Sequence, residues 1–154
     1  MKITDTLLEK LMEMEGCRLT AYRDANGTPT IGYGHTQGVR MGDRISTQQA
    51  RDWLRQDVSL VMRQVRQLHV ARTEAQLEAL TSFAFNVGIG RLKQSTLLRT
   101  IRQGGSKQAI QREFKRWVYA GGRKLPGLVA RRQWEATRFF EPSFATDDEI
   151  IDRV

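Results

Sequence analysis

Two acidic residues near the N-terminus have the types and spacing that acid–base chemistry requires. Glu15 follows Leu8, Leu11 and Met12 at helical spacing, which predicts that it ends a helix on the apolar face. Partial desolvation at that position would raise its pKa and suit it to donate a proton. Asp24 opens a polar turn, where solvent and backbone N–H groups can keep a carboxylate ionised. Two carboxyls in such unlike environments are the arrangement that cleaves glycosidic bonds.

A threonine across the predicted turn could complete this arrangement. Thr30 offers a hydroxyl that could hold the attacking water, while Asp24 would stabilise an oxocarbenium-like centre or activate or replace that water. Each acid also has a purely structural interpretation. Glu15 could be a salt-bridged acid at a helix end, and Asp24 could cap the Asn26-Gly27 turn.

The composition narrows the possible classes of function but does not select one of them. The 154 residues are 40% apolar and carry a net charge of +8, which suits one domain or two small lobes. The last ten residues carry −3, so the preceding 144 carry +11. A body this basic is attracted to nucleic acid, to an anionic membrane or to an acidic cell-wall polymer.

Cysteine usage and hydropathy indicate the compartment. Cys17 is the sole cysteine, so no internal disulfide can form, and a reducing cytoplasm is consistent with this. No apolar run approaches the roughly 20 residues that a membrane-spanning helix needs. We therefore predict a soluble protein without a signal peptide or signal anchor.

The elements that position the acids follow from caps and periodicity. A helix is predicted over residues 4–15, with Gly16 as its stop, and β structure over 18–36, with a hairpin at Asn26-Gly27. A capping box at Ser46 opens a long helix over 47–68. Three further helices are predicted to begin near residues 73, 95 and 106, the first ending at Gly88 and Gly90 and the last reaching Val118. A final helix begins at Pro126-Gly127.

This pattern predicts an α+β fold. A small N-terminal α/β lobe with a β hairpin, about 14–45, would be joined by the helix 47–68 to a mainly helical C-terminal lobe, about 70–144. The two lobes would form a single domain over 1–144, followed by an acidic tail over 145–154. A cleft between the lobes is the natural ligand site.

The stretch EGCRLTAYRDANGTPTIGYGHT, residues 15–36, resembles the signature of the phage-type lysozymes, or endolysins, of glycoside hydrolase family 24. Its functional positions are spaced E-x8-D-x5-T, and Glu15, Asp24 and Thr30 fall on them. The resemblance covers about residues 5–141 through ISTQQARDWLRQDV, LTSFAFNVGIGRLKQSTLL and RWVYAGGRKLPGLVARR. It implies a lysozyme-like fold.

The resemblance also implies a reaction. The enzyme would hydrolyse the β-1,4 bond between N-acetylmuramic acid and N-acetylglucosamine in bacterial peptidoglycan and so lyse the host cell. Glu15 would be the proton donor. Asp24 and Thr30 would position a water for a single displacement with inversion.

Other positions receive smaller roles from the resemblance. His35 and Asp57 would form a buried structural ion pair that ties the lobes together. Asn86 and Ser95 match positions that face the glycan in the C-terminal lobe, although helix-end capping is the alternative for both. Arg131 could pair with an acid near the cleft.

Some of these residues have simpler interpretations. Arg132 could make that pairing instead, and PGLVARR could equally present a solvated basic face. The larger aromatic residues of the C-terminal half are predicted to be core rather than sugar-stacking platforms: Phe83, Phe85, Trp117 and Trp134.

The implied partner is peptidoglycan, with no nucleic acid, metal or cofactor and no stable insertion into a membrane. A monomer would stay in the host cytoplasm until a separate membrane pore, a holin, gave it access to the periplasm or wall. Two rivals remain. The first is another glycan-cleaving enzyme on a lysozyme-like scaffold, such as a lytic transglycosylase or chitinase; a transglycosylase needs no water-positioning residues, so Asp24 and Thr30 argue against it. The second is a basic non-catalytic binder of nucleic acid or cell wall, which rests on charge alone.

Overall fold

A computed structural model describes residues 4–142 of the chain. The predicted acidic tail and the domain boundary at 144 lie outside the described residues. Seven helices and two short hairpins make up the described part, which confirms the α+β class. In chain order they are α1 Asp5–Glu15, β1 Arg18–Arg23, β2 Pro29–Gly32, α2 Thr47–Arg66, α3 Glu74–Val87, α4 Ile89–Gln94, α5 Thr96–Arg102, α6 Lys107–Lys115, β3 Tyr119–Ala120, β4 Arg123–Lys124 and α7 Pro126–Arg138.

The first helix ends where its sequence says it should. The Thr4 side chain accepts a hydrogen bond from the N–H of Leu7 and caps the start of α1. At the other end Gly16 has φ +69° and its N–H donates to the carbonyl of Met12, a conformation that glycine adopts without strain. The chain can therefore leave the helix directly after Glu15 and enter β1.

The β hairpin forms around the predicted turn. β1 and β2 pair antiparallel, with Tyr22 opposite Thr30. Gly27 has φ +80°, and this left-handed geometry closes the turn. The segment around Arg44 lies against the other edge of β1, where Thr20 forms an isolated bridge. Strand β1 is thereby paired along both of its edges.

The long helix α2 spans 20 residues, or about 30 Å. Ser46 caps it by accepting from the N–H of Gln49, as the capping box predicts. It ends at Arg66, two residues before the predicted position. Residues of α1, α2 and the later helices share one hydrophobic cluster, which includes Leu7, Leu11, Leu54, Val58, Phe83, Leu98 and Phe114.

The C-terminal part differs from the prediction in two places. Gly90 does not help to end α3, because Gly88 alone is its cap and Gly90 lies within α4. Helix α6 stops at Lys115 rather than continuing to Val118. The strands β3 and β4 follow instead, because Gly121 and Gly122, at φ +58° and +77°, allow a tight turn between them. This hairpin leads directly into α7.

Candidate active site

Glu15 is the last residue of α1, and its side chain faces a cleft. The cleft has a volume of about 620 Å³ and is lined by residues of α1, by Asn86 of α3 and by residues 125–128, 130 and 131. The Glu15 side chain is 21% exposed. A ligand in the cleft can therefore reach the carboxyl.

Glu15 contacts a cation within a cleft whose lining is partly apolar, with Met14, Leu125 and Leu128 among its residues. Arg131 donates from Nη1 to Oε1 over 2.5 Å, so a guanidinium occupies one side of the carboxyl. The predicted pairing of an arginine with an acid near the cleft is thus present. A β-carbon at Gly34 would lie 3.9 Å from Oε2, and Gly34 has φ +89°. The turn after β2 therefore borders the other oxygen.

Asp24 is held by the turn that it opens. Its Oδ1 accepts hydrogen bonds from the N–H groups of Asn26 and Thr28, each at 2.9 Å. This is the capping role that the simpler interpretation assigns. No hydrogen bond from a described residue reaches Oδ2, so one carboxylate oxygen remains available to a water or a ligand.

Thr30 lies beside Asp24 on the same hairpin. It is 3% exposed, and its hydroxyl donates to the carbonyl of Thr28 at 2.8 Å. The hydroxyl hydrogen is therefore used, while the oxygen can still accept from a water. The structure brings Asp24 and Thr30 together through Thr28. Within residues 4–142 no hydrogen bond joins either of them to Glu15.

A buried charged network supports the Glu15 side of the cleft. Glu135 on α7 is fully buried; its Oε2 accepts from the hydroxyl of Ser82 at 2.6 Å and from Nε of Arg131 at 3.3 Å. Its Oε1 lies 3.3 Å from Nε of Arg132. Arg131 also donates to the carbonyl of Ser82 at 2.8 Å. The arginines of PGLVARR are therefore buried and do not form a solvated face.

Burial dominates the titration of this network. It raises the pKa of the Glu135 carboxyl, although the two arginines and the Ser82 hydroxyl act in the opposite direction. It lowers the pKa of the Arg132 guanidinium, against the attraction of Glu135. Sequence reasoning missed Glu135 and Ser82. The signals were the i, i+4 spacing of Arg131 and Glu135 and the i, i+3 spacing of Arg132 and Glu135, which are typical of exposed helical pairs.

Asn86 presents a donor to the cleft. Its Oδ1 accepts from Nη2 of Arg132. Because a guanidinium can only donate, the oxygen must face Arg132 and the amide NH₂ is left for the open side. Asn86 is exposed and lines the same cleft as Glu15. Its predicted contact with a glycan stays a prediction.

Ser95 has the alternative role, that of a helix cap. Its hydroxyl donates to the carbonyl of Leu92 at 2.7 Å and accepts from the N–H of Leu98 at 3.0 Å. The residue is 4% exposed and opens α5. These contacts account for the serine without a ligand.

His35 and Asp57 meet as predicted, with 2.7 Å between Nδ1 and Oδ2. Nε2 of His35 lies 3.0 Å from the carbonyl of Gln37. Each ring nitrogen of His35 therefore has an oxygen partner. The side chains are 11% and 30% exposed, so the pair is only partly buried. The contact fastens the end of the β hairpin segment to α2.

The predicted core aromatics also lie as expected. Phe83 is fully buried, and Phe85, Trp117 and Trp134 pack against the hydrophobic cluster. Among residues 4–142 no group of three or more His, Cys, Asp or Glu side chains could hold a metal ion. No helix in the same range is long and apolar enough to cross a membrane.

Comparison with known proteins identifies the family. The family model described as phage lysozyme matches residues 12–135. The chain belongs to the phage lysozyme family. An endolysin of Acyrthosiphon pisum secondary endosymbiont phage 1 is 38% identical over 144 residues, which cover 90% of this chain and 98% of the relative. A SAR-endolysin of bacteriophage PS119 is 39% identical over 124 residues, covering 79% of this chain and 74% of the relative.

Solved structures agree with this membership. The muramidase domain of SpmX from Asticaccaulis excentricus has a TM-score of 0.83 and 33% identity, and the match covers 92% of this chain and 99% of that domain. The predicted family and lysozyme-like fold are confirmed. The enzyme is a hydrolase of the lysozyme, or muramidase, type, with endolysins as its relatives.

Proposed function

We propose that this enzyme hydrolyses the β-1,4 bond between N-acetylmuramic acid and N-acetylglucosamine, with Glu15 as the proton donor. The observation that carries the proposal is the position of the Glu15 carboxyl at the end of α1, facing a cleft of about 620 Å³. Arg131 holds Oε1, and the other oxygen borders the turn at Gly34. Glu15 would protonate the glycosidic oxygen as the bond to the sugar breaks.

Asp24 and Thr30 would supply the attacking water. The free Oδ2 of Asp24 can accept one hydrogen of the water, and the Thr30 oxygen can accept the other. In a single displacement with inversion, the water oxygen attacks the anomeric carbon, Asp24 takes its proton, and the leaving oxygen receives the proton of Glu15. The two backbone N–H donors on Oδ1, which fix the orientation of the Asp24 carboxylate, support this assignment.

Asn86 would bind the sugar chain on the other side of the cleft. Its amide NH₂ is directed away from Arg132, and the acetamido carbonyl of an N-acetyl sugar is a matching acceptor. The same proposal keeps Ser95 as a residue that positions α5 rather than one that contacts the glycan.

The proposal is tested with Glu15→Gln, which keeps the shape of the side chain and removes its acid. Clearing of purified cell walls should fall by about 10³-fold or more, because general acid catalysis is lost. Glu9→Gln, an exposed acid on the same helix, is the control and should retain full activity. A Glu15→Gln variant that clears walls normally would end the proposal.

Product analysis separates the enzyme from a lytic transglycosylase. Hydrolysis leaves a reducing muramic acid end, whereas transglycosylation leaves a 1,6-anhydro end. We expect the reducing end, since Asp24 and Thr30 would be needless for the second reaction. A 1,6-anhydro product would exclude the proposed water.

Peptidoglycan is the proposed partner, and the enzyme is proposed to act as a monomer that reaches the wall through a separate holin. This follows from the resemblance to endolysins. Expression in a bacterial host with and without a holin gene should give lysis in the first case alone, and light scattering should give the mass of one chain. Lysis without a pore would contradict the proposed route.

A further inference from the structure

Glu135 is a buried carboxylate that the proposed reaction does not use. It is fully buried on α7 and contacts two cations: Nε of Arg131 on Oε2 and Nε of Arg132 near Oε1, both at 3.3 Å. The Ser82 hydroxyl adds a third contact at 2.6 Å. A buried ion cluster of this kind is costly to desolvate, which raises the question of what it does.

Both arginines continue to the cleft. Arg131 donates to Glu15, and Arg132 donates to Asn86. Glu15 and Asn86 line the same cleft. A single carboxylate therefore anchors the two cations that hold the proposed proton donor and the proposed sugar-binding amide.

Hydrogen bonding does not account for all of the buried polar atoms in this network. Within the described chain Oε1 of Glu135 and both Nε and Nη1 of Arg132 are buried without a hydrogen-bond partner, and so is Oγ1 of Thr81. Well-packed apolar residues of similar volume often give equal or greater stability at such positions. The charges are thus better explained by an effect on the cleft than by an effect on folding.

The effect follows from the position of Arg131. A guanidinium in contact with a carboxyl favours the ionised form of that carboxyl, which opposes the role of an acid that must donate a proton. A second carboxylate on the same guanidinium offsets its charge. We propose that Glu135 is a positioning residue that balances the charge of Arg131, so that Arg131 can orient Glu15 without leaving an uncompensated positive charge beside it; the inference rests on the proposed role of Glu15.

The other charged groups near these two acids are few. Glu15 faces Arg131 from α7, interacts at longer range with Arg132, and shares the cleft with Lys10 and Glu13 of its own helix. The hairpin faces it with Gly34 rather than with a charge.

Glu135 faces the two arginines of its own helix, and α3 contributes the Ser82 hydroxyl. No charged side chain of α6 is among the groups that act on it within the described chain. The positive charge of Arg131 is therefore offset mainly by Glu135 and Glu15.

The test compares Glu135→Gln with a matched control. The pH–rate profile of glycan-strand hydrolysis should shift at its alkaline limb to lower pH, because the positive charge of Arg131 is then no longer offset by a second carboxylate beside the proposed proton donor. Glu78→Gln is the control. Glu78 is equally buried, on α3, and accepts two hydrogen bonds from Arg138 at 3.0 and 2.7 Å, but Arg138 has no contact with Glu15.

Both variants should lower the melting temperature, and only Glu135→Gln should move the pH profile. An unshifted profile in a folded Glu135→Gln variant would overturn the inference, as would an equal shift in Glu78→Gln. If Glu15→Gln is inactive while Glu135→Gln is unshifted, the proposed function stands and only this inference fails.

If the Glu135→Gln variant does not fold, a measurement on the unaltered protein still tests the inference. Carboxyl ¹³C NMR should find Glu135 ionised throughout the pH range in which the enzyme is active. Burial favours the neutral form of Glu135, so an ionised Glu135 would have to be stabilised by the arginines rather than by its position in the core. A protonated Glu135 in that range could not balance Arg131, and the inference would be wrong.

Discussion

Glu15 and Asp24 have unlike surroundings in the same molecule. Glu15 accepts a hydrogen bond from a guanidinium inside a cleft, whereas Asp24 accepts hydrogen bonds from two backbone N–H groups on a surface turn. The sequence predicts unlike surroundings for the two acids and leaves open which arginine pairs with an acid near the cleft. The structure pairs Glu15 with Arg131, a residue 116 positions away.

At this scale, Asp24→Asn tests the proposal that Asp24 is the base. The amide oxygen can still accept from the N–H groups of Asn26 and Thr28, so the turn should persist while the basic oxygen is lost. We expect kcat to fall by about 10²–10⁴-fold with little change in KM. Asp43→Asn is a suitable control, because Asp43 accepts from the N–H of Arg40 in another exposed turn. Equal losses in both variants would argue for a structural role of Asp24.

At the scale of elements, capping residues decide where the site can form. Thr4, Ser46, Thr73, Ser95 and Ser106 each accept a hydrogen bond from the third residue of their helix. These short-range contacts follow from the sequence because cap and helix are neighbours in the chain. The sequence did not predict the β3–β4 hairpin, because two glycines after a helical pattern, here Gly121 and Gly122, usually indicate only that the helix ends.

The variant Ser95→Ala distinguishes the two interpretations of Ser95, a helix cap and a contact with the glycan. Loss of the cap should lower the free energy of unfolding by about 1 kcal/mol, as measured by urea denaturation, and leave kcat/KM at low temperature unchanged. Ser106→Ala, which removes the exposed cap of α6, gives the reference for a cap away from the cleft. A more than tenfold loss of kcat/KM in Ser95→Ala alone would support a contact with the glycan.

At the scale of the whole molecule, charge is unevenly distributed. The chain without its last ten residues carries +11, and exposed cations recur along the C-terminal helices and hairpin, among them Arg91, Arg99, Arg102, Lys115, Arg116 and Arg123. The single acid in 88–125, Glu113, is paired with Arg116. A cationic surface of this extent attracts an anionic wall.

Salt should weaken wall binding for this reason. Between about 50 mM and about 300 mM NaCl, where the Debye length shortens, sedimentation with purified walls should show at least a roughly fivefold loss of affinity of the Glu15→Gln variant. Binding of an uncharged chitooligosaccharide should barely change, because it depends on the cleft. Salt-independent wall binding would show that the surface charge has no part in it.

The sequence by itself determined the helices with caps, the hairpin at Asn26-Gly27, and the candidate acids. Local hydrogen bonds and periodicity fix such features, and the family motif adds the pairing of His35 with Asp57. Only the tertiary structure decided that Arg131 contacts Glu15 and that Glu135 is buried between two arginines. A charged residue on a helix is exposed or buried according to what packs against it, and here the packing of α7 on α3 encloses arginines for which the sequence left both a solvated face and a pairing in the cleft open.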